Sequence, residues 1–110
     1  EAEERNKLEL DGGHLGVERK LYYRELVARF GHHPALLWNL CEEYNLNYNL
    51  GPSLVKEYAR YLKAIDPYDN PITVHHSSTL DKTWTEFLGD DHFPVGSFQI
   101  NDVKDRGSHW

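Results

Sequence analysis

Apolar residues at Val17, Leu21, Tyr22, Leu26, Val27 and Phe30 are spaced i, i+4, i+5, i+9, i+10 and i+13, which predicts a helix from Val17 to Phe30. Glu18, Arg19, Arg24, Glu25 and Arg29 fall largely on the other side, and Gly31 follows as a stop signal. The pattern then changes. Ala35 to Leu40 is an apolar run that ends abruptly in Glu42-Glu43. Such a run fits a strand covered on both faces, as in a parallel sheet with helices outside it. Glu42 to Gly51 is a polar loop rich in Asn and Tyr.

Pro52 and Ser53 open a second helix, striped by Leu54, Val55, Tyr58, Tyr61, Leu62 and Ile65. Asp66-Pro67-Tyr68-Asp69-Asn70-Pro71 is a helix exit and turn. Ile72–His75 predicts a short strand, Ser77-Ser78-Thr79 a cap for a short helix over Leu80 to Leu88, and Val95–Ile100 a third strand. Residues 1–16 read as an acidic loop, 17–102 as the core and 103–110 as a polar tail. Helix and strand alternate throughout, which implies an α/β fold with three parallel strands joined by crossovers.

Length limits how much of such a fold is present. The chain has 110 residues, one domain or part of one, whereas a complete α/β barrel needs roughly 250. The opening Glu1-Ala2-Glu3-Glu4 is unlike a signal peptide, and the chain contains no Met, as an excised or processed piece would look. The formal net charge of -6 argues against a nucleic-acid partner. No run approaches the ~20 apolar residues of a membrane span. Cys41 is the only cysteine, so no intrachain disulfide is expected, and a lone Cys in an apolar strand reads as a small buried hydrophobe.

Strand parity sorts the candidate chemistry. In a regular strand Leu37, Asn39, Cys41 and Glu43 point one way, and Leu36, Trp38, Leu40 and Glu42 the other. The second set is large and apolar until its end, so it should face the helices. Asn39 needs a polar cavity, which makes Glu43 the better catalytic candidate and Glu42 a supporting one. A bulge would reverse this. Thr73 and His75 share a face of the second strand, and Ser97, Gln99 and Asn101 share a face of the third. Polar groups thus gather toward the C-terminal ends of all three strands, as a site for sugar hydroxyls requires. Tyr44, Tyr48 and Trp84 are candidate stacking surfaces for a ring. His32-His33 precedes the first strand, at the opposite end from His75-His76. The two pairs should not meet around a metal, and no cofactor is expected.

Leu21-Tyr22-Tyr23-Arg24-Glu25-Leu26-Val27-Ala28-Arg29-Phe30-Gly31-His32-His33-Pro34, followed by Trp38-Asn39-Leu40 and Glu42-Glu43, resembles bacterial glycoside-hydrolase-like (β/α)8 barrel proteins of the cellulase or collagen-binding-domain type. Tyr58-Ala59 through Leu62, Asp66-Pro67-Tyr68, Pro71-Ile72-Thr73-Val74-His75 and Phe98-Gln99 continue the likeness, which covers residues 10–102. Cys41 departs from the pattern, which more often has Gly there. The resemblance implies a TIM-barrel-like fragment containing strands four to six. Such barrels place an acid/base Glu at the end of strand four and a nucleophile Glu at the end of strand seven. Glu43, or alternatively Glu42, matches the first, and nothing here matches the second. Retaining hydrolysis needs carboxyls roughly 5–5.5 Å apart. Adjacent strand residues pointing opposite ways cannot supply that pair. The resemblance therefore implies a carbohydrate substrate, hydrolysis in an intact protein and little in residues 1–110 alone. Asn39, His75, Gln99, Asn101 and Tyr44 would contact substrate. The alternative is a non-catalytic carbohydrate-binding or oligomeric module. Open sheet edges lead either form to self-associate.

Overall fold

The structure is a computed structural model that describes residues 8–44, 50–77 and 84–99. Among the described residues two α-helices, α1 (Val17–Phe30) and α2 (Pro52–Ile65), have the bounds that the apolar spacing predicts. Pro52 sits in the first turn of α2, where its missing N–H leaves no gap, and Gly51 at φ 73° turns the chain into it. Where the sequence predicts three strands, the described residues form four short ones in two separate pairs: β1 (Trp38–Asn39), β2 (Ile72–Thr73), β3 (His75–Ser77) and β4 (Ser97–Gln99). β1 pairs with β2 and β3 with β4, both in parallel. Val74 alone separates β2 from β3, so one continuous segment carries both pairings. This is a small mixed α/β unit in which α2 connects parallel strands. The first half of the helix expected over Leu80–Leu88 lies outside the described residues, and its end is a single 3-10 turn, Thr85–Phe87.

Val55, Tyr58, Ala59 and Leu62 of α2 form the centre of the core, packed with Tyr23 and Val27 of α1, with Trp38 of β1, with Ile72 of β2 and with Val74 between β2 and β3. Tyr44, Trp84, Phe87 and Phe93 complete it. Ile72, Thr73 and Val74 are all buried in succession, which requires cover on both faces of the strand.

α1 is turned differently from the expectation. Arg19, Tyr23 and Val27 are buried, whereas Val17, Leu21, Tyr22 and Phe30 are exposed. The preceding turn explains the buried arginine. Its guanidinium donates to the carbonyls of Glu9 (2.6 Å) and His14 (3.2 Å) and lies 4.8 Å from the centre of the Tyr58 ring. A buried charge is tolerable when carbonyl dipoles and an aromatic face surround it.

The start of α1 depends on Gly16. No side chain at Gly16 caps the helix; Asp11 reaches across instead, and its Oδ2 accepts the Arg19 N–H at 2.8 Å. A Cβ on Gly16 would lie 2.4 Å from Asp11 Cγ. Gly16→Ala must therefore displace that carboxylate and lose the cap. We expect a destabilisation of about 1 kcal/mol in urea unfolding, shrinking when Asp11→Ala is already present. An equal loss in both backgrounds would exclude this coupling.

β1 is shorter than the predicted Ala35–Leu40. Ala35 adopts φ 61°, a left-handed turn that no strand accommodates, and pairing begins only when the Trp38 N–H bonds to Pro71 O at 2.9 Å. Below the strands, Asp66 is buried and gathers four donors. Trp38 Nε1 lies at 2.8 Å, the Tyr68 N–H at 3.0 Å, the Asn70 N–H at 3.2 Å and Asn70 Nδ2 at 2.9 Å. Asn70 Nδ2 also reaches Gly31 O at the end of α1. Burial alone would push the Asp66 carboxyl up, but the Trp38, Tyr68 and Asn70 hydrogen bonds outweigh it and hold the group below the usual carboxylate range.

Candidate functional site

The parallel ladder breaks where the acids begin. The Trp38 N–H bonds to Pro71 O and the Leu40 N–H to Thr73 O, each strand advancing two residues. The next bond in the series runs from the Tyr44 N–H to His75 O, four residues on along one segment against two along the other. Cys41-Glu42-Glu43 therefore bulges outward, and Glu43 takes φ 40° to close the bulge. Alternating parity stops at Leu40.

This bulge decides which carboxylate meets the neighbouring strand. Glu42 Oε1 lies 2.8 Å from His75 Nδ1. The Glu42 side chain is 66% exposed while that of His75 is only 13% exposed, so the acid reaches in from the rim toward a largely covered ring. Asn39 completes the group: its Oδ1 accepts the His75 N–H at 3.2 Å, which leaves its amide N–H2 as a donor. The same His75 N–H is shared with Cys41 O, also at 3.2 Å. Glu42, Asn39 and His75 are thus brought together at the C-terminal end of the first parallel pair. Glu43, favoured when a regular strand is assumed, is half-buried in the bulge, and the carboxylate at 2.8 Å from His75 Nδ1 is that of Glu42.

The other expected site residues fare differently. Tyr44 does not offer a stacking face. It is buried, meets Phe87 edge-on at 5.2 Å, and burial first, then Glu86 and Cys41, pushes its hydroxyl up to about 12. Trp84 is likewise buried, against His76 and Phe87. Thr73 is buried, and its hydroxyl donates to Val95 O at 2.7 Å, fastening the approach to β4 instead of facing a ligand. Gln99 lies in β4, but its side chain, like Tyr48 and Asn101, lies outside the described residues. Cys41 is half-buried against the core, in line with its reading as a small hydrophobe. The His32 and His33 rings lie 4.3 Å apart and tilted by 31°, exposed, at the N-terminal approach to β1.

A second acid–histidine contact was not foreseen. Asp90 Oδ1 accepts the His92 N–H at 3.0 Å and lies 2.8 Å from His92 Nδ1, while Lys56 Nζ of α2 is 3.3 Å from Oδ2. Burial would push the Asp90 carboxyl up, but His92 and Lys56 hold it low. Asp90 and His92 are two residues apart in one turn, and the Lys56–Asp90 ion pair ties that turn to α2. Asp90-x-His92 in the sequence was the available signal. Glu42, in the bulge after β1, and His75, in β3, are 33 residues apart. Among the described residues no group of three or more His, Cys, Asp or Glu could hold a metal ion. Among them, too, no helix is long and apolar enough to cross a membrane.

Chemically, a carboxylate touching an imidazole can move a proton or hold one in place. The adjacent amide can bind a hydroxyl oxygen. Comparison with protein families, with curated proteins and with solved structures finds no match to this chain.

Proposed function

We propose that this chain is a segment of a glycoside-hydrolase-like barrel, with Glu42 as the acid/base at the rim. The observation that supports the reading best is the 2.8 Å approach of Glu42 Oε1 to His75 Nδ1 at the C-terminal end of a parallel strand pair. That end is where barrels of this kind keep their chemistry. Glu42 would protonate the glycosidic oxygen and later take a proton from the attacking water. Asn39 would bind a sugar hydroxyl through its amide. Glu43 is the alternative acid, and its position in the bulge argues for a supporting role.

A second carboxylate would have to face Glu42 across the sugar. Glu43 is its chain neighbour and cannot do so. The expected behaviour of residues 1–110 is therefore saccharide binding without turnover. Calorimetric titration with a panel of neutral oligosaccharides, beside an aryl-glycoside assay, tests this. Glu42→Ala should weaken binding about tenfold or more, since a hydrogen bond to a charged group contributes about 1.5–3 kcal/mol. Glu43→Ala should weaken it less. If no saccharide in the panel binds, the proposal fails.

A further inference from the structure

We infer that Glu42 holds His75 in the tautomer protonated on Nδ1, so that Nε2 presents a lone pair able to accept a hydrogen bond from a ligand hydroxyl. His75 Nδ1 is buried and makes no aligned hydrogen bond, and the oxygen beside it is Glu42 Oε1 at 2.8 Å. An ionised carboxylate only accepts hydrogen bonds. An unprotonated Nδ1 at that distance would set two lone pairs against each other in a covered position. A proton between them removes the conflict, and the exposed Glu42 side chain has room to align with it. Such contacts are often poorly aligned without ligand and tighten when one binds. The backbone fixes the ring's attachment, because the His75 N–H is shared between Cys41 O and Asn39 Oδ1. In a histidine, the hydrogen bond made by one ring nitrogen sets the role of the other. With Nδ1 as donor to Glu42, Nε2 becomes an acceptor.

The site then offers a ligand one acceptor, His75 Nε2, and one donor, the Asn39 amide, on residues joined by the bond from the His75 N–H to Asn39 Oδ1. A hydroxyl can donate to one such group and accept from the other, whereas a carboxylate or phosphate oxygen can only accept. A hydroxyl-bearing ligand can use both groups, whereas an anionic oxygen can use only the amide. The tautomer follows from the Glu42–His75 geometry alone, and the ligand class rests on the saccharide reading above.

Two-bond proton–nitrogen correlation spectra at about pH 8.5, where an ordinary histidine is neutral, read the tautomer directly. In the wild type, His75 should be protonated on Nδ1 and bare on Nε2. Glu42→Gln, which keeps an acceptor oxygen, should retain that state. Glu42→Ala should convert the ring to predominantly Nε2–H, and Glu43→Ala should leave it unchanged. A wild-type His75 protonated on Nε2 overturns the inference. Adding a neutral oligosaccharide should then shift the Nε2 resonance. If the tautomer is as inferred but no saccharide moves Nε2, the ligand class falls and the Glu42–His75 coupling stands.

Discussion

Asp66→Ala should lower the stability of the fold by about 3 kcal/mol, because it removes a buried carboxylate from four donors, one of them the buried Trp38 indole N–H. Trp38 Nε1, 2.8 Å from Asp66 Oδ2, would be left beneath the sheet without its partner. The Tyr68 and Asn70 N–H groups would lose the acceptor that shapes the turn into β2, and Asn70 would lose half of its grip between Asp66 and Gly31. For a chain of this length, whose total stability is on the order of 5–15 kcal/mol, that is a large share. Asp66→Asn tests the charge separately. The folded-state carboxyl is held below its ordinary value, so its ionised form contributes stability that is fully present above the unfolded value, about 3.9. That contribution is lost as pH falls through the depressed folded value. The gap between wild type and Asp66→Asn should hence be constant above about pH 5 and narrow below about pH 4. Urea unfolding followed by tryptophan fluorescence reads both effects. A gap that stayed the same at pH 3 would show that the charge is not what holds the turn.

Tyr58→Ala should be at least as damaging, at about 4 kcal/mol, the usual range for emptying a buried aromatic site. Tyr58 is fully buried, meets the Tyr23 ring edge-on at 6.0 Å, and lies under the Arg19 guanidinium at 4.8 Å. Its hydroxyl donates to Gly13 O in the turn before α1. The residue therefore joins α2, α1 and that turn. Tyr58→Phe keeps the ring and removes only the hydroxyl, so its loss should be nearer 1 kcal/mol. The ordering Ala much worse than Phe identifies packing as the main contribution. Equal losses would place the weight on the hydroxyl and against the core as described.

The two helices were legible because their signals are local: a 3.6-residue apolar stripe, Gly31 after one and Pro52 at the start of the other. The parallel α/β class followed from the alternation of elements. What failed depended on events that a period of two cannot register. Parity placed Asn39 and Glu43 on one face, but two additional residues in the bulge after Leu40 brought Glu42 to the His75 ring. The face of α1 was misread because Arg19, polar in type, finds its partners in the turn before the helix. Tyr44 and Thr73 looked available for ligand because neither type reveals burial. Asp66 read simply as a helix exit. Its bond to the Trp38 indole spans 28 positions and leaves no trace in the local pattern.

The buried aspartate lies at the starting ends of the strands, and Glu42 lies at the finishing end of β1. Fastening and the proposed chemistry are thus physically segregated within one small unit. Changes along the upper loops can accumulate without loosening the knot beneath, which gives the scaffold latitude to acquire new ligand preferences while keeping its shape.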